Sequence, residues 1–126
     1  MQELLVYMSI PIHGRVDYIE HALTVADTLR VAIQAVVHDR VVRIVNPTII
    51  NPEWQCLEHE AARALYMTRD LAMLRECDYI YYAAPGSTCT SAIDGHVYRG
   101  MLEEKEKATE WGIPTLRLYE LFKDAI

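Results

Sequence analysis

The sequence predicts an α/β domain, a parallel sheet covered by helices. Short apolar or β-branched runs alternate along the chain with stretches of helical periodicity. The run at residues 78–84 is apolar and aromatic at nearly every position after its first, as a strand covered on both faces requires. The 126 residues, 52% apolar and 24% charged, suit a single core-forming domain over 1–126.

The elements follow in order. Residues 4–8 are the first strand, ending in the loop 9–15, which Pro11 and Gly14 punctuate. A helix fits 17–37, because Ile19, Ala22, Leu23, Ala26, Leu29 and Ile33 recur at steps of three and four; Asp17 stands at its cap. Residues 40–45 alternate and are β-branched, a second strand. Asn46-Pro47 and Asn51-Pro52 mark turns, and a helical region follows over 53–77 with a break expected near Ala61. The third strand is 78–84. A loop rich in Gly, Ser and Thr spans 85–96, and a helix over 97–111 closes at Gly112 with Pro114 behind it. A fourth strand is expected at 115–119 and a short helix or tail at 120–126.

This βαβαβαβ order predicts a three-layer fold of the flavodoxin-like or Rossmann-like kind. It has a four-stranded parallel sheet in the order 2-1-3-4 with helices on both faces. Ligands in such sheets sit at the carboxyl ends of the strands, which brings the loops 9–15 and 85–96 to one site.

The net charge of -6, with no Lys/Arg cluster, argues against a nucleic-acid polymer as partner. Three cysteines, Cys56, Cys77 and Cys89, show no CxxC or zinc spacing, which fits a reducing compartment. No charged start precedes a long apolar core, and no stretch has the length of a membrane helix. A soluble, cytoplasmic protein is expected, with no metal and no cofactor. The histidines His13, His21, His38, His59 and His96 form no HxxxH or HExxH pattern.

Glu104 is the most informative residue. On a 3.6-residue wheel, Val97, Met101, Ala108 and Trp111 share one side, and Glu104 falls in the middle of that stripe. Glu103, Glu106 and Glu110 fall on the opposite side, where water is expected. A carboxylate in an apolar stripe is costly unless something compensates it. It either leans out at the stripe's edge to serve structure, or is held in a cleft for chemistry.

The segment Gly100-Met101-Leu102-Glu103-Glu104, then Ala108, then Gly112-Ile113-Pro114, resembles the G-x-x-x-E…A…G-x-P segment of nucleoside 2-deoxyribosyltransferase-like proteins. Residues 6–11, the run from Asp70 through Leu71 and Leu74 to Cys77-Asp78, and the pair Pro85-Gly86 resemble further family segments in the same order. The resemblance implies that Glu104 is a nucleophile attacking the anomeric carbon of a sugar, and that Tyr7 orients it. It also implies an aspartate, for which Asp94 is the nearest counterpart and Asp78 a poor second, since Asp78 opens a strand and reads better as structural. The stretch 87–99 is longer than in the family.

Ser87, Thr88, Thr90 and Ser91 precede a helix, where hydroxyls and backbone N–H groups suit an anion such as a 5′-phosphate; the other reading is an ordinary polar turn. His13 and Arg15 add positive charge from the other loop. Ser9, His13, Gly14, Arg15, Gly86, Ser87, Thr88, Ser91 and Gly100 make the expected substrate-binding set. Cys89 has only His96 as a partner for a thiol mechanism. Two functions compete. One is an enzyme that cleaves or transfers at the N-glycosidic bond of a (deoxy)nucleoside or nucleoside 5′-monophosphate. The alternative is a non-catalytic nucleotide-binding protein that senses or sequesters its ligand in the same cleft. The resemblance further implies a homo-oligomer, for which Leu102, Tyr119, Leu121 and Phe122 offer apolar contact.

Overall fold

A computed structural model of the chain describes residues 2–10, 17–47, 59–83 and 99–123. The order of elements is β1 (Gln2–Ser9), α1 (Tyr18–Gln34), β2 (Arg40–Val45), α2 (His59–Arg75), β3 (Tyr79–Tyr82), α3 (Arg99–Glu110) and α4 (Leu118–Phe122). The strands form a parallel sheet in the order β2-β1-β3. β1 lies in the centre and is buried along its whole second half, as a strand flanked on both edges and covered on both faces must be.

The period-two geometry of β1 divides the core. Leu4, Val6 and Met8 face α1, where they pack with Ala22, Leu29 and Ile33 and with Leu118 and Leu121 of α4. Tyr7 points the other way, joining Leu74 of α2, Ile80 and Tyr82 of β3, and Met101 and Ala108 of α3. Helices therefore cover both faces. Leu23 of α1 departs from its expected inward stripe and is 48% exposed.

Local chemistry sets the boundaries. Asp17 takes the N-cap position of α1 without a side-chain capping bond; its carbonyl accepts from His21 N at 2.9 Å. At the other end of α1, Gln34 staples the turn into β2. Its Nε2 donates to the carbonyls of Val37 and Arg40, both at 2.9 Å, and its Oε1 accepts from Val42 N at 2.8 Å. Over the described part of the second helical region, α2 runs unbroken through Ala61, contrary to the expected interruption.

α3 ends as its sequence predicts. Gly112 adopts φ 71°, Gly112 N reaches the Thr109 carbonyl at 3.2 Å and Ile113 N the Ala108 carbonyl at 2.8 Å, the paired bonds of a Schellman cap. The chain then makes a single rung on the free edge of β3. Ile80 N donates to the Pro114 carbonyl at 3.0 Å and Leu116 N to the Ile80 carbonyl at 2.8 Å, around the bridge Ile80–Thr115.

The fourth strand expected at 115–119 does not continue from there, and the described sheet has three strands. Leu118 turns instead into α4. Alternating Leu116 and Leu118 mimic a strand, but Leu118, Leu121 and Phe122 also repeat at three and four residues. Docking Leu118 and Leu121 on the α1 face favours the helix.

Candidate functional site

Tyr7 and Ser9 are two residues apart on β1, so their side chains share the face turned to α2 and α3. Ser9 pairs in register with Tyr82, which puts both at the carboxyl ends of adjacent strands. α3 crosses this face with Met101 and Ala108 buried, and Glu104, between them, is carried inward with them. Glu104 is 6% exposed.

Two hydroxyls receive its carboxylate. Tyr7 Oη donates to Glu104 Oε2, and Ser9 Oγ donates to Oε1 at 2.8 Å. Each oxygen thus has a donor, as a buried carboxylate requires. Burial is still the largest influence and pushes the Glu104 carboxyl up to about 7 from 4.5. The Tyr7 and Ser9 hydroxyls pull the other way, and the charges of Asp70 and Glu103 add to the rise. Burial and the Glu104 charge both hold the Tyr7 phenol protonated, so it remains a donor at any working pH.

Asp70, on α2, is the second carboxyl of the site. It is close enough for its charge to act on both Tyr7 and Glu104. Burial raises its carboxyl, while the hydrogen bond and charge of Arg69 oppose that rise. Beside the site, Tyr82 is buried, its phenol pushed up to about 12 by burial against the opposing bond to Thr115. A cavity of about 370 Å³ opens next to it, bounded by Tyr81, Thr115 and residues 116–120; Glu104 is not among its walls.

Of the residues singled out in the sequence, Tyr7, Ser9 and Glu104 come together in direct contact. Ser9, expected to bind substrate, gives its hydroxyl proton to Glu104 and so supports that carboxylate. Gly100 lies in the first turn of α3. Asp78 stands at the amino end of β3, where its Oδ2 accepts from Leu5 N at 2.9 Å; it closes the sheet and is structural. His13, Gly14, Arg15, Gly86, Ser87, Thr88, Cys89, Ser91, Asp94 and His96 lie outside the described residues. Glu103, expected to face water, is half-buried, whereas Glu106 and Glu110 are exposed.

Sequence reasoning gave Asp70 no role. The signal was available: Asp70 lies one turn before the buried Leu74, so α2 carries a carboxylate beside its apolar stripe just as α3 does.

Cys77 is a free, buried thiol that donates to the Met73 carbonyl at 3.3 Å, and burial pushes it up to about 12, which makes it inert. Among the described residues no group of three His, Cys, Asp or Glu side chains is arranged to hold a metal ion. None of the described helices is long and apolar enough to cross a membrane. Comparison with known protein families, with curated proteins and with solved structures gives no match to this chain.

Proposed function

We propose that the protein cleaves or transfers at the N-glycosidic bond of a (deoxy)nucleoside or nucleoside 5′-monophosphate, with Glu104 as the nucleophile. The observation that carries this reading is the buried Glu104 carboxylate, held between the hydroxyls of Tyr7 and Ser9 at the carboxyl ends of the strands. The likeness of its helix segment to nucleoside 2-deoxyribosyltransferase-like proteins supports it. So does the parallel sheet with helices on both faces, consistent with a flavodoxin-like or Rossmann-like architecture, in which ligands bind at that edge.

In the proposed reaction a Glu104 oxygen attacks C1′ of the sugar. The C1′–N bond breaks, its electron pair leaves with the base, and an ester joins the sugar to Glu104. Asp94 is the expected donor of the proton that the departing base takes. Water or a second base then attacks C1′, loses a proton and frees Glu104. Tyr7 and Ser9 fix the carboxylate's orientation while the sugar carbon becomes positive. The nearby charge of Asp70 favours that positive charge and makes Glu104 more basic, hence more nucleophilic once ionised.

A second reading, binding without reaction, has one observation in its favour. A carboxyl raised to about 7 is partly protonated at neutral pH and in that form cannot attack. Incubation with a panel of nucleosides and their 5′-monophosphates, followed by chromatography for free base, separates the two. Release of base supports the enzyme; saturable binding with no release of base supports the binding protein. Faster release from monophosphates, lost in Arg15→Ala, would support the phosphate contacts expected of Arg15, Ser87, Thr88 and Ser91.

A further inference from the structure

Arg69 and Asp70 are neighbours on α2 whose side chains are only 17% and 16% exposed. Arg69 donates to Asp70 Oδ1 twice, from Nε at 3.0 Å and from Nη2 at 2.7 Å. Nη2 also donates to the Pro47 carbonyl at 2.8 Å, just beyond the end of β2. The guanidinium lies 5.5 Å from the centre of the Tyr66 ring, within cation–π range. Exposed ion pairs contribute little. This one is covered, anchored to the backbone of another element and stacked on a ring, so its geometry is fixed. A planar guanidinium satisfies these partners at once, which a single ammonium does not.

Asp70 in turn acts on Tyr7 and Glu104. Two interacting carboxyls do not readily ionise together; one gives up its proton first and the other holds it. Among the described residues, the charged and titratable groups around the pair are Tyr7 from β1, Arg69 from α2, Tyr82 from β3 and Glu103 from α3, with the Ser9 hydroxyl on Glu104. Among the described residues Arg69 is the cation that acts on Asp70; two of its hydrogen bonds go to Asp70 and one to the Pro47 carbonyl.

We propose that Arg69 is a positioning residue that decides which carboxyl keeps the site's proton: clamped by Arg69, Asp70 ionises first, and Glu104 ionises last. The anion at Asp70 then holds Glu104 in its more basic state. The consequence for turnover rests on the proposed role of Glu104, but the order of ionisation does not.

The order is read by 13C-carboxyl NMR titration of the full chain labelled at Asp and Glu, with Asp70→Asn and Glu104→Gln assigning the two signals. In the parent, Asp70 should titrate at lower pH than Glu104. In Arg69→Gln the Asp70 midpoint should rise by about one unit or more and the Glu104 midpoint should fall. Arg69→Lys, which keeps the charge without the fork, should recover part of both shifts. Unchanged midpoints in Arg69→Gln, or Glu104 titrating first in the parent, would overturn the proposal. Should Arg69→Gln not fold, Asp70→Asn decides: removing that charge should lower the Glu104 midpoint, and a midpoint that stays put overturns the proposal. A correct order of ionisation in a protein that releases no base would retain the clamp and reject the glycosidic reaction.

Discussion

The phenol of Tyr7 on β1 donates to Oε2 of Glu104 on α3, across 97 residues of sequence. The bond favours the charged carboxylate and so works against the burial that raises Glu104. Tyr7→Phe removes that donor and should drive the Glu104 carboxyl further up. Under the proposed reaction the acid limb of kcat/KM is set by ionisation of Glu104 and should then move to higher pH. An acid limb unmoved in Tyr7→Phe would mean that the limb does not belong to Glu104.

Stability should carry the same signature. Folding raises the Glu104 carboxyl from 4.5 to about 7, so the folded chain holds this proton more tightly than the unfolded chain. Its contribution is intact below about 4.5, where both states carry the proton, and is lost as pH rises to about 7. Glu104→Gln fits the same space, and its amide pairs with the same two hydroxyls without a charge to desolvate. Thermal melts should therefore show Glu104→Gln more stable than the parent at pH 8, by up to about 3 kcal/mol, with the gap narrowing towards pH 5. A gap that widens on acidification would contradict the assignment.

Much of this was legible in the sequence, for reasons that particular residues make plain. β1, β2 and β3 were readable because apolar and β-branched runs of that length have few other uses. Glu104 was readable because a charge between Met101 and Ala108 violates the helical pattern. Asp70 was missed because α2 is only weakly patterned, so a carboxylate beside its buried positions stands out less than Glu104 does on α3. The fourth strand failed because Leu116, Leu118 and Leu121 satisfy two periods at once, and only tertiary packing chooses between them. Gln34, with its three bonds around the turn into β2, has no local signature at all.

The C-cap of α3 offers a test of the fold independent of the site. Gly112 has φ 71° and nothing within 4 Å of where a Cβ would stand, so a substitution there meets backbone strain and no clash. Gly112→Ala should cost about 1 kcal/mol in urea denaturation and Gly112→Asn less, since asparagine tolerates the left-handed region. Equal stability of alanine and glycine would show that the cap does not hold α3.

Association is expected as well. Tyr119 is 81% exposed, and Leu23, Val31, Val41 and Leu65 also present apolar surface among the described residues. We predict a homo-oligomer, at least a dimer, in which such surface is covered. Light scattering should give a mass of two chains or more at micromolar concentration, and a monomer there would refute it.

The proposed nucleophilic role of Glu104 is tested most directly by trapping. A nucleoside with a 2-fluoro sugar slows the breakdown of a glycosyl ester and lets it accumulate. Peptide mass spectrometry of the parent should find the sugar on Glu104, with release of one equivalent of base. Glu106→Gln, altered on the exposed side of the same helix, should behave as the parent, and Glu104→Gln should carry no sugar and release no base from ordinary substrates. Base released by Glu104→Gln at the parent's rate, or the sugar found on another residue, would contradict a nucleophilic Glu104.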